Sequence, residues 1–412
     1  MDVSINSDQL MAELRTLASF SSEPAPVVTR VVFTEADLRG RAYLRGLCEE
    51  AGLGVRADAA GNTFFRWVGR DENLPAVGTG SHIDAIPNAG MYDGTVGVLG
   101  GLEAIRALQR SGFNPARSIE LLLFTSEEPT RFGIGCIGSR LLAGTIAVED
   151  ARRLKDGNGS EFDEVRRAAG FEGELEEVLL VPGYYSHFVE LHIEQGRLLE
   201  RERTSIGIVT GIAAPASFFL TITGEGGHAG ALLMPDRHDA LAAASEIILE
   251  VESAAKSTGA VDTVATVGIC DVFPGAVNSV PSRVRLSLDV RDIDEARRDD
   301  VLSAIHNACE QTGARRGVRV EMELINADAP AICDARILDA IGNACAASGI
   351  SSKRLVSRAY HDSLFISRIA PTAMIFIPCR GGVSHRPDEY ASPEDISRGA
   401  LVLARTLAQL AC

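Results

Sequence analysis

Histidines and carboxylates follow several predicted strands of this 412-residue chain at the point where each strand ends. His82 comes directly after a predicted strand at Ala76–Gly80, and the Glu127–Glu128 pair closes the apolar run Ser118–Thr125. Ligands of open α/β sheets gather at the carboxyl ends of strands, and imidazole with carboxylate suits zinc, manganese or a similar divalent ion. Five such residues suit a site for two ions in which one carboxylate bridges, and the predicted ligands are His82, Asp93, Glu128, His192 and His385.

The two adjacent glutamates are predicted to have different roles, one as a metal ligand and the other as a base. Carboxylates beside a buried strand are costly unless something positive neutralises them. Because neighbouring side chains point in different directions, one of the two glutamates can bind metal while the other serves as a base. Asp84 can hydrogen-bond back to His82 and fix its tautomer, so we count it with the catalytic group. Each piece alone also has an ordinary interpretation: a loop histidine, a helix N-cap at Asp93 and a solvated turn at the glutamate pair.

The composition excludes several other classes of protein. Lys and Arg number 40 against 56 Asp and Glu, so the net charge is −16. This balance argues against nucleic acid or an anionic membrane as a partner, although a local arginine can still hold a small anionic substrate. No apolar run approaches the roughly 18 residues of a membrane span, and the N-terminus does not read as a secretory signal. The eight scattered cysteines indicate reduced thiols, so we expect a cytoplasmic protein.

The order of predicted elements indicates two domains. Strands and helices alternate between Asn62 and Glu128, which predicts an α/β fold with helices covering a mixed sheet. Between Ser217 and Leu324 the order is strand, helix, strand, strand, helix, strand, which is the ferredoxin-like order of a two-layer α+β domain, with the second strand continuous over residues 263–272. We therefore expect a catalytic domain at residues 1–210 and 328–412, interrupted by an inserted domain at residues 211–327.

Five longer segments resemble a known family. The segments are GSHIDAIPNAGMYDGTVGVLGGLEAI, FTSEEPTRFGIGCIGSRLLAG, ELHIEQG, GEGGHAG and SHRPDEY. They resemble the amidase branch of the metal-dependent aminoacylase and carboxypeptidase superfamily. This branch includes N-carbamoyl-L-amino-acid amidohydrolases, allantoate amidohydrolase and ureidoglycolate amidohydrolases. The resemblance covers nearly the whole chain. It is the ordered set of segments, rather than any one of them, that makes it specific.

The resemblance implies a dinuclear catalytic domain and an inserted domain that serves for dimerisation and as a lid. It implies that Asp93 bridges the two ions and that Glu127 is the general acid and base. It further implies four substrate contacts, which are Gln195, His228, Asn278 and Arg291. From the residues alone, His228 is otherwise a loop histidine, Asn278 a turn residue, and Arg291 either a surface charge or a clamp on a substrate carboxylate.

The expected activity is hydrolysis of a ureido bond in a small carboxylate-bearing substrate by a homodimer that holds two divalent ions per subunit, manganese first and zinc second. His228 is expected to stabilise the oxyanion that forms during the reaction. Two rival hypotheses remain open. One is a peptidase or aminoacylase on the same scaffold, and the other is a non-catalytic binding protein.

A late segment narrows the expected substrate. Residues 357–363 read SRAYHDS, and together with SEEPTRF at 126–132 they most resemble ureidoglycolate amidohydrolases. Tyr360 stands where most of the branch has a glycine, so a phenol fills volume beside the substrate and offers one hydroxyl. We predict that Tyr360 and His361 contact the substrate. The alternative is a helix start at which Asp362 caps and His361 packs.

Overall fold

The computed structural model describes residues 2–412, which divide into two compact units. The larger unit contains the chain up to Thr210 together with Cys333–Leu355 and His361–Cys412. The smaller unit contains Gly211–Ile332 and Val356–Tyr360. Across residues 2–412, no helix combines the length and the apolar character that crossing a membrane requires.

Helices and strands alternate through much of the chain, and the predicted α/β class is confirmed. The helices are α1 Ser7–Ser19, α2 Glu35–Glu50, α3 Thr95–Arg110, α4 Ile137–Ala143, α5 Val148–Arg153, α6 Phe162–Ala168, α7 Leu198–Glu202, α8 Ala240–Ser257, α9 Glu295–Arg316, α10 Ala335–Ser348, α11 Asp362–Ile366 and α12 Pro393–Leu410. The strands are β1 Val28–Arg30, β2 Gly54–Ala57, β3 Thr63–Trp67, β4 Ala76–Ser81, β5 Ala85–Ala89, β6 Ile119–Leu123, β7 Tyr185–Ile193, β8 Ile206–Ile212, β9 Ala214–Thr223, β10 Gly227–His228, β11 Val264–Thr266, β12 Cys270–Phe273, β13 Ser279–Val280, β14 Arg283–Asp292, β15 Arg319–Ala327, β16 Ala331–Ile332, β17 Ser352–Ser357 and β18 Thr372–Ile377.

The larger unit is built on a mixed sheet in the order β8-β18-β7-β4-β6-β3-β2. Its four central strands, β18, β7, β4 and β6, run parallel to one another, so their carboxyl ends meet at one edge. All residues of β4, β6 and β18 are buried, which explains why they are so rich in apolar and small side chains. The segments that follow these four strands are therefore brought together at a single edge.

Glycines let helix α3 pack closely against this sheet. A Cβ added at Gly97 would lie 2.3 Å from the main-chain oxygen of Leu191 on β7 and 2.6 Å from the Cβ of Ser81. By contrast, a Cβ added at Gly46 in α2 would meet no atom within 4 Å. The close packing fixes the start of α3, which directly follows Asp93 and Gly94.

This contrast gives a prediction about stability. Gly97→Ala should destabilise the fold by about 1–3 kcal/mol, because the new methyl group overpacks against backbone that cannot move aside. Gly46→Ala should instead stabilise it by up to about 1 kcal/mol, because alanine is the better helix former. Urea-unfolding midpoints measured side by side test both changes. Equal midpoints for the two variants would contradict the close approach of α3 to β7.

The smaller unit contains an antiparallel sheet in the order β11-β14-β9-β15. Along β14, Val284, Leu286, Leu288 and Val290 are buried against α8 and α9, as the predicted alternation requires. The prediction of one strand over residues 263–272 is wrong, because β11 and β12 pair separately with β14. Between them Ile269 exchanges hydrogen bonds with Ser287, whose hydroxyl and main-chain N–H interrupt the ladder.

Candidate metal centre

Asp93 lies between two groups of side chains that could each hold a divalent ion. The first group is His82, Asp93 and His192, the second is Asp93, Glu128 and His385, and within each group the ligand atoms lie within 4.8 Å of one another. Oδ1 of Asp93 is 3.1 Å from Nε2 of His192, and Oδ2 is 3.4 Å from Nε2 of His385. The structure thus brings the five predicted ligands together, with one oxygen of Asp93 facing each group.

Main-chain carbonyls fix the tautomers of two of the imidazoles. Nδ1 of His82 is 3.0 Å from the main-chain oxygen of Asp84, and Nδ1 of His192 is 2.9 Å from the main-chain oxygen of Ile193. Because a carbonyl oxygen can only accept, each Nδ1 carries the proton. In the neutral ring it is therefore Nε2, the nitrogen that faces Asp93, that carries the lone pair, which is the tautomer a metal ligand needs.

The electrostatics of the cluster favour bound positive charge. Burial lowers the pKa of His82, but the carboxylates of Glu127 and Asp93 outweigh it and hold that pKa well above its usual range. Contacts with Asp93 and Glu128 raise the pKa of His385 to about 11. Burial opposes ionisation of Asp93, yet the three histidines hold its pKa well below the usual range. Buried carboxylates combined with imidazole nitrogens are a donor set that fits divalent ions such as Zn²⁺ or Mn²⁺.

A tight turn after β6 presents the two glutamates. Ser126 adopts φ 57°, a left-handed conformation that non-glycine residues rarely hold. The carboxylate of Asp84 accepts from the main-chain N–H groups of Glu127 at 3.3 Å and Glu128 at 3.1 Å. The prediction for Asp84 therefore needs a correction, because it is the main-chain oxygen of Asp84 that bonds to His82. Its carboxylate is 3.7 Å from that ring, since the two N–H groups of the turn attract it instead.

Glu127 lies beside the ligands without belonging to either group. Its Oε2 atom is 3.7 Å from Nε2 of His82, and its Oε1 atom accepts from the thiol of Cys136 at 3.7 Å. Burial, helped by the charges of Glu128 and Asp362 and opposed by His82, raises the pKa of Glu127 well above its usual range. A carboxyl group with a raised pKa suits a residue that must take up and return a proton.

Left-handed backbone recurs around this centre. Besides Ser126, the residues Cys136, Gln195 and His385 have φ of 58°, 54° and 60°. Each such conformation costs roughly 1–3 kcal/mol, and such residues concentrate at functional sites, where the surroundings hold them in place. The clustering therefore marks this edge of the sheet as functional, independently of the choice of ligands.

Two further predicted site residues also belong to the larger unit. Gln195 donates from Nε2 to Oδ2 of Asp93 at 2.6 Å, and its buried Oε1 atom has no partner among residues 2–412. The ring of His361 is buried, with its centroid 4.6 Å from that of His192. His361 occupies the N-cap position of α11, while the carboxyl of Asp362 does not cap and accepts instead from the hydroxyl of Ser139 at 2.5 Å.

The predicted contacts His228 and Asn278 lie close together in the smaller unit. His228 is the last residue of β10, and Asn278 directly precedes β13, which pairs with β10. The N–H of Ala229 donates to the main-chain oxygen of Asn278 at 2.8 Å, and both side chains are exposed. Nδ1 of His228 accepts from the N–H of Gly230 at 3.1 Å. The neutral ring therefore carries its proton on Nε2, so that Nε2 can donate a hydrogen bond.

Arg291 and Tyr360 also belong to the smaller unit, and both already have partners there. Nε of Arg291 donates to Asp289 at 2.7 Å, and Nη1 donates to the main-chain oxygen of Arg358 at 3.3 Å. Nη2 also donates to Asp289, at 3.3 Å, so one hydrogen remains on each of Nη1 and Nη2 for a second carboxylate. The hydroxyl of Tyr360 donates to the carboxylate of Asp328, so it can offer a substrate only an acceptor.

Three residues of the centre were missed from the sequence. Gly94, with φ 66°, has no room for a side chain, because a Cβ would lie 2.5 Å from Nε2 of His82. The hydroxyl of Ser384 donates to the carboxylate of Asp93, and the buried carboxylate of Glu389 accepts from the main-chain N–H of Asp93. Ser384 and Glu389 lie within the segment SHRPDEY, but nothing in a polar loop sequence distinguishes a buried glutamate from a solvated one.

The fold and this centre are those of a class of hydrolases. Residues 78–409 match Peptidase family M20/M25/M40, and the chain belongs to this family. The predicted family and the predicted hydrolase class are confirmed, and the histidine–carboxylate groups are consistent with divalent metal binding.

Among the relatives, the chain is 50% identical over 415 residues to a protein named ureidoglycolate hydrolase from Arabidopsis thaliana, a match that covers 99% of this chain and 87% of the relative. Two solved structures of AtUAH, one in complex with glyoxylate and one with (S)-hydroxyglycine, each have a TM-score of 0.90 and 50% identity, and each match covers 99% of this chain and 98% of the other. These matches confirm the predicted resemblance to ureidoglycolate amidohydrolases.

Proposed function

We propose that this protein hydrolyses (S)-ureidoglycolate as a cytoplasmic homodimer. One molecule of water is consumed, and glyoxylate, two molecules of ammonia and carbon dioxide are formed. The observation that carries this proposal is the 50% identity, along 99% of the chain, to a ureidoglycolate hydrolase. It agrees with the glyoxylate bound to the related structure and with the acid–base residue that this chain places beside its candidate ligands.

We propose two divalent ions per subunit, with manganese favoured and zinc second. His82 and His192 would hold one ion, Glu128 and His385 the other, and Asp93 would bridge them. Such ions polarise a ureido carbonyl and lower the pKa of bound water. Gln195 and Ser384 orient Asp93. The main-chain oxygens of Asp84 and Ile193 orient the rings of His82 and His192.

Glu127 is the proposed general base and acid. Its carboxylate takes the proton of the attacking water and returns it to the leaving nitrogen. Burial raises the pKa of Glu127, which suits a carboxyl group that must both take up and return a proton. Asp84 contributes by holding the main chain of the Glu127–Glu128 turn through two hydrogen bonds.

Three further side chains are proposed to contact the substrate. Arg291 clamps the carboxylate through its Nη1–Nη2 edge, and Oε1 of Gln195 accepts from a ureido N–H. Nε2–H of His228 donates to the developing oxyanion. Residues 211–327 then act as the lid and dimerisation domain of a catalytic domain formed by residues 1–210 and 328–412, with Asn278 beside His228.

Tyr360 is proposed to set the preference for a small substrate. Its ring fills volume where most of the branch has a glycine, and Asp328 fixes its hydroxyl so that one lone pair can accept from an α-hydroxyl. A site that hydrogen-bonds a substrate hydroxyl strongly rejects analogues that lack it. His361, packed against His192, would line the same end of the substrate.

The reaction class is tested by the products formed. The chain is stripped with a chelator, reloaded with Mn²⁺ or Zn²⁺, and given ureidoglycolate, an N-acetyl amino acid and a dipeptide in separate reactions. We expect metal-dependent ammonia release from the ureido compound alone. Faster cleavage of the N-acetyl compound or the dipeptide would favour an aminoacylase or peptidase, and binding without any product would favour a non-catalytic binding protein.

A further inference from the structure

Glu389 is a buried residue whose carboxylate contacts the main chain of Asp93 and two residues beside it, Tyr92 and Ser384. It is 5% exposed, although it belongs to a polar loop between β18 and α12. Its Oε1 atom accepts from the main-chain N–H of Tyr92 at 2.7 Å and from that of Asp93 at 3.1 Å. These two N–H groups lie just before α3, where no helical partner is available for them.

The second carboxylate oxygen of Glu389 contacts Ser384, a serine that also contacts the side chain of Asp93. The hydroxyl of Ser384 lies 3.0 Å from Oε2 of Glu389 and donates to Oδ2 of Asp93. Ser384 directly precedes His385, so this chain of contacts also ties the loop of His385 to Asp93. Glu389 therefore holds the main chain of Asp93 directly, and its second oxygen lies against the serine that donates to the carboxylate of Asp93.

The fold makes room for this glutamate. A Cβ added at Gly90 would lie 2.3 Å from the Cβ of Glu389 and 2.6 Å from its Oε1 atom. Gly90 is therefore the residue whose lack of a side chain allows the carboxylate to reach the N–H groups of Tyr92 and Asp93. A methyl group at Gly90 would displace Glu389 without changing its chemistry.

We propose that Glu389 is a positioning residue that holds Asp93 in the orientation needed to serve both metal sites at once. The inference rests on the metal centre of the proposed function. Because Asp93 belongs to both ligand groups, loss of Glu389 should weaken the binding of both ions rather than one. Partners that orient a metal ligand typically contribute about 10–100-fold to metal affinity.

The test is Mn²⁺ binding to the metal-free full-length protein, measured by isothermal titration calorimetry, with far-UV circular dichroism as the check on folding. We expect Glu389→Ala to raise the Kd of both Mn²⁺ equivalents by about 10–100-fold. Glu389→Gln should remain close to wild type, because its amide oxygen can accept from both N–H groups while its NH₂ donates to Ser384. Gly90→Ala, a second variant that leaves Glu389 intact, should resemble Glu389→Ala.

The matched control is Asp388→Ala, which removes an exposed carboxylate one residue away that pairs with Arg386. Its Kd for Mn²⁺ should be unchanged. A folded Glu389→Ala that binds both ions as wild type does overturns the inference, and so does a Glu389→Gln as weak as Glu389→Ala. A wild-type chain that binds no Mn²⁺ overturns the metal centre of the proposed function itself.

Discussion

Turnover of (S)-ureidoglycolate by Glu127→Gln should fall by about 10²–10⁴-fold, the contribution typical of a positioned general acid–base residue. The amide cannot take a proton from water, yet it keeps the size of the buried carboxyl beside His82. Metal content should stay at the wild-type value, because Glu127 belongs to neither ligand group. Activity and bound metal, measured on the same preparation, give the two readouts.

Glu128→Gln is the matched comparison, since it makes the same chemical change one residue along the same turn. Oε1 of Glu128 lies 3.2 Å from Nε2 of His385, inside the second ligand group. We expect this variant to lose metal as well as activity. If Glu127→Gln lost metal and Glu128→Gln kept it, the roles assigned to the two glutamates would have to be exchanged.

Activity should reappear when two inactive variants share a dimer. His228→Ala and Glu127→Gln chains are each expected to be nearly inactive alone. If His228 serves the centre of the other protomer, a heterodimer contains one site in which both residues are intact. Co-expression with two affinity tags, followed by an activity assay of the doubly tagged fraction, measures this. The doubly tagged fraction contains only heterodimers, so about half of its sites should be intact, and its activity should approach half of the wild-type value.

The same experiment separates a shared site from an independent one. If each chain completed its own site, every site in the heterodimer would lack one of the two residues, and the doubly tagged fraction would stay inactive. His228 is exposed in its own chain, with Nε2–H available to donate, which is what a residue that serves a partner requires. Mixing two preparations of Glu127→Gln that carry different tags is the negative control.

The fold could be predicted from the sequence where burial imposes a simple pattern. The apolar run Ser118–Thr125 predicts a strand, which the structure contains as β6. The alternation of Val284, Leu286, Leu288 and Val290 predicts another, which the structure contains as β14. The break between β11 and β12 could not be predicted, because the side chain of Ser287 creates it from a neighbouring strand. Local pattern carries no information about such contacts between strands.

The sequence was enough to predict which histidines and carboxylates come together at the centre, but it did not reveal the contacts that orient them. Histidines and carboxylates at strand ends are recognisable, because parallel strands must bring their carboxyl ends together. The main-chain bonds of Asp84 to the Glu127–Glu128 turn, the burial of Glu389 and the space at Gly94 depend on loops from distant parts of the chain. Nothing in the residues themselves marks these roles.

Substrate preference, measured as kcat/KM, tests the central claim most directly. The kcat/KM of the Mn²⁺-loaded wild-type protein should be measured for (S)-ureidoglycolate, allantoate and N-carbamoyl-leucine under identical conditions. We expect (S)-ureidoglycolate to be the best of the three, with glyoxylate detected as its product, because the ring of Tyr360 disfavours bulky substituents and its hydroxyl can accept from the α-hydroxyl. A higher kcat/KM for allantoate or N-carbamoyl-leucine would contradict the account.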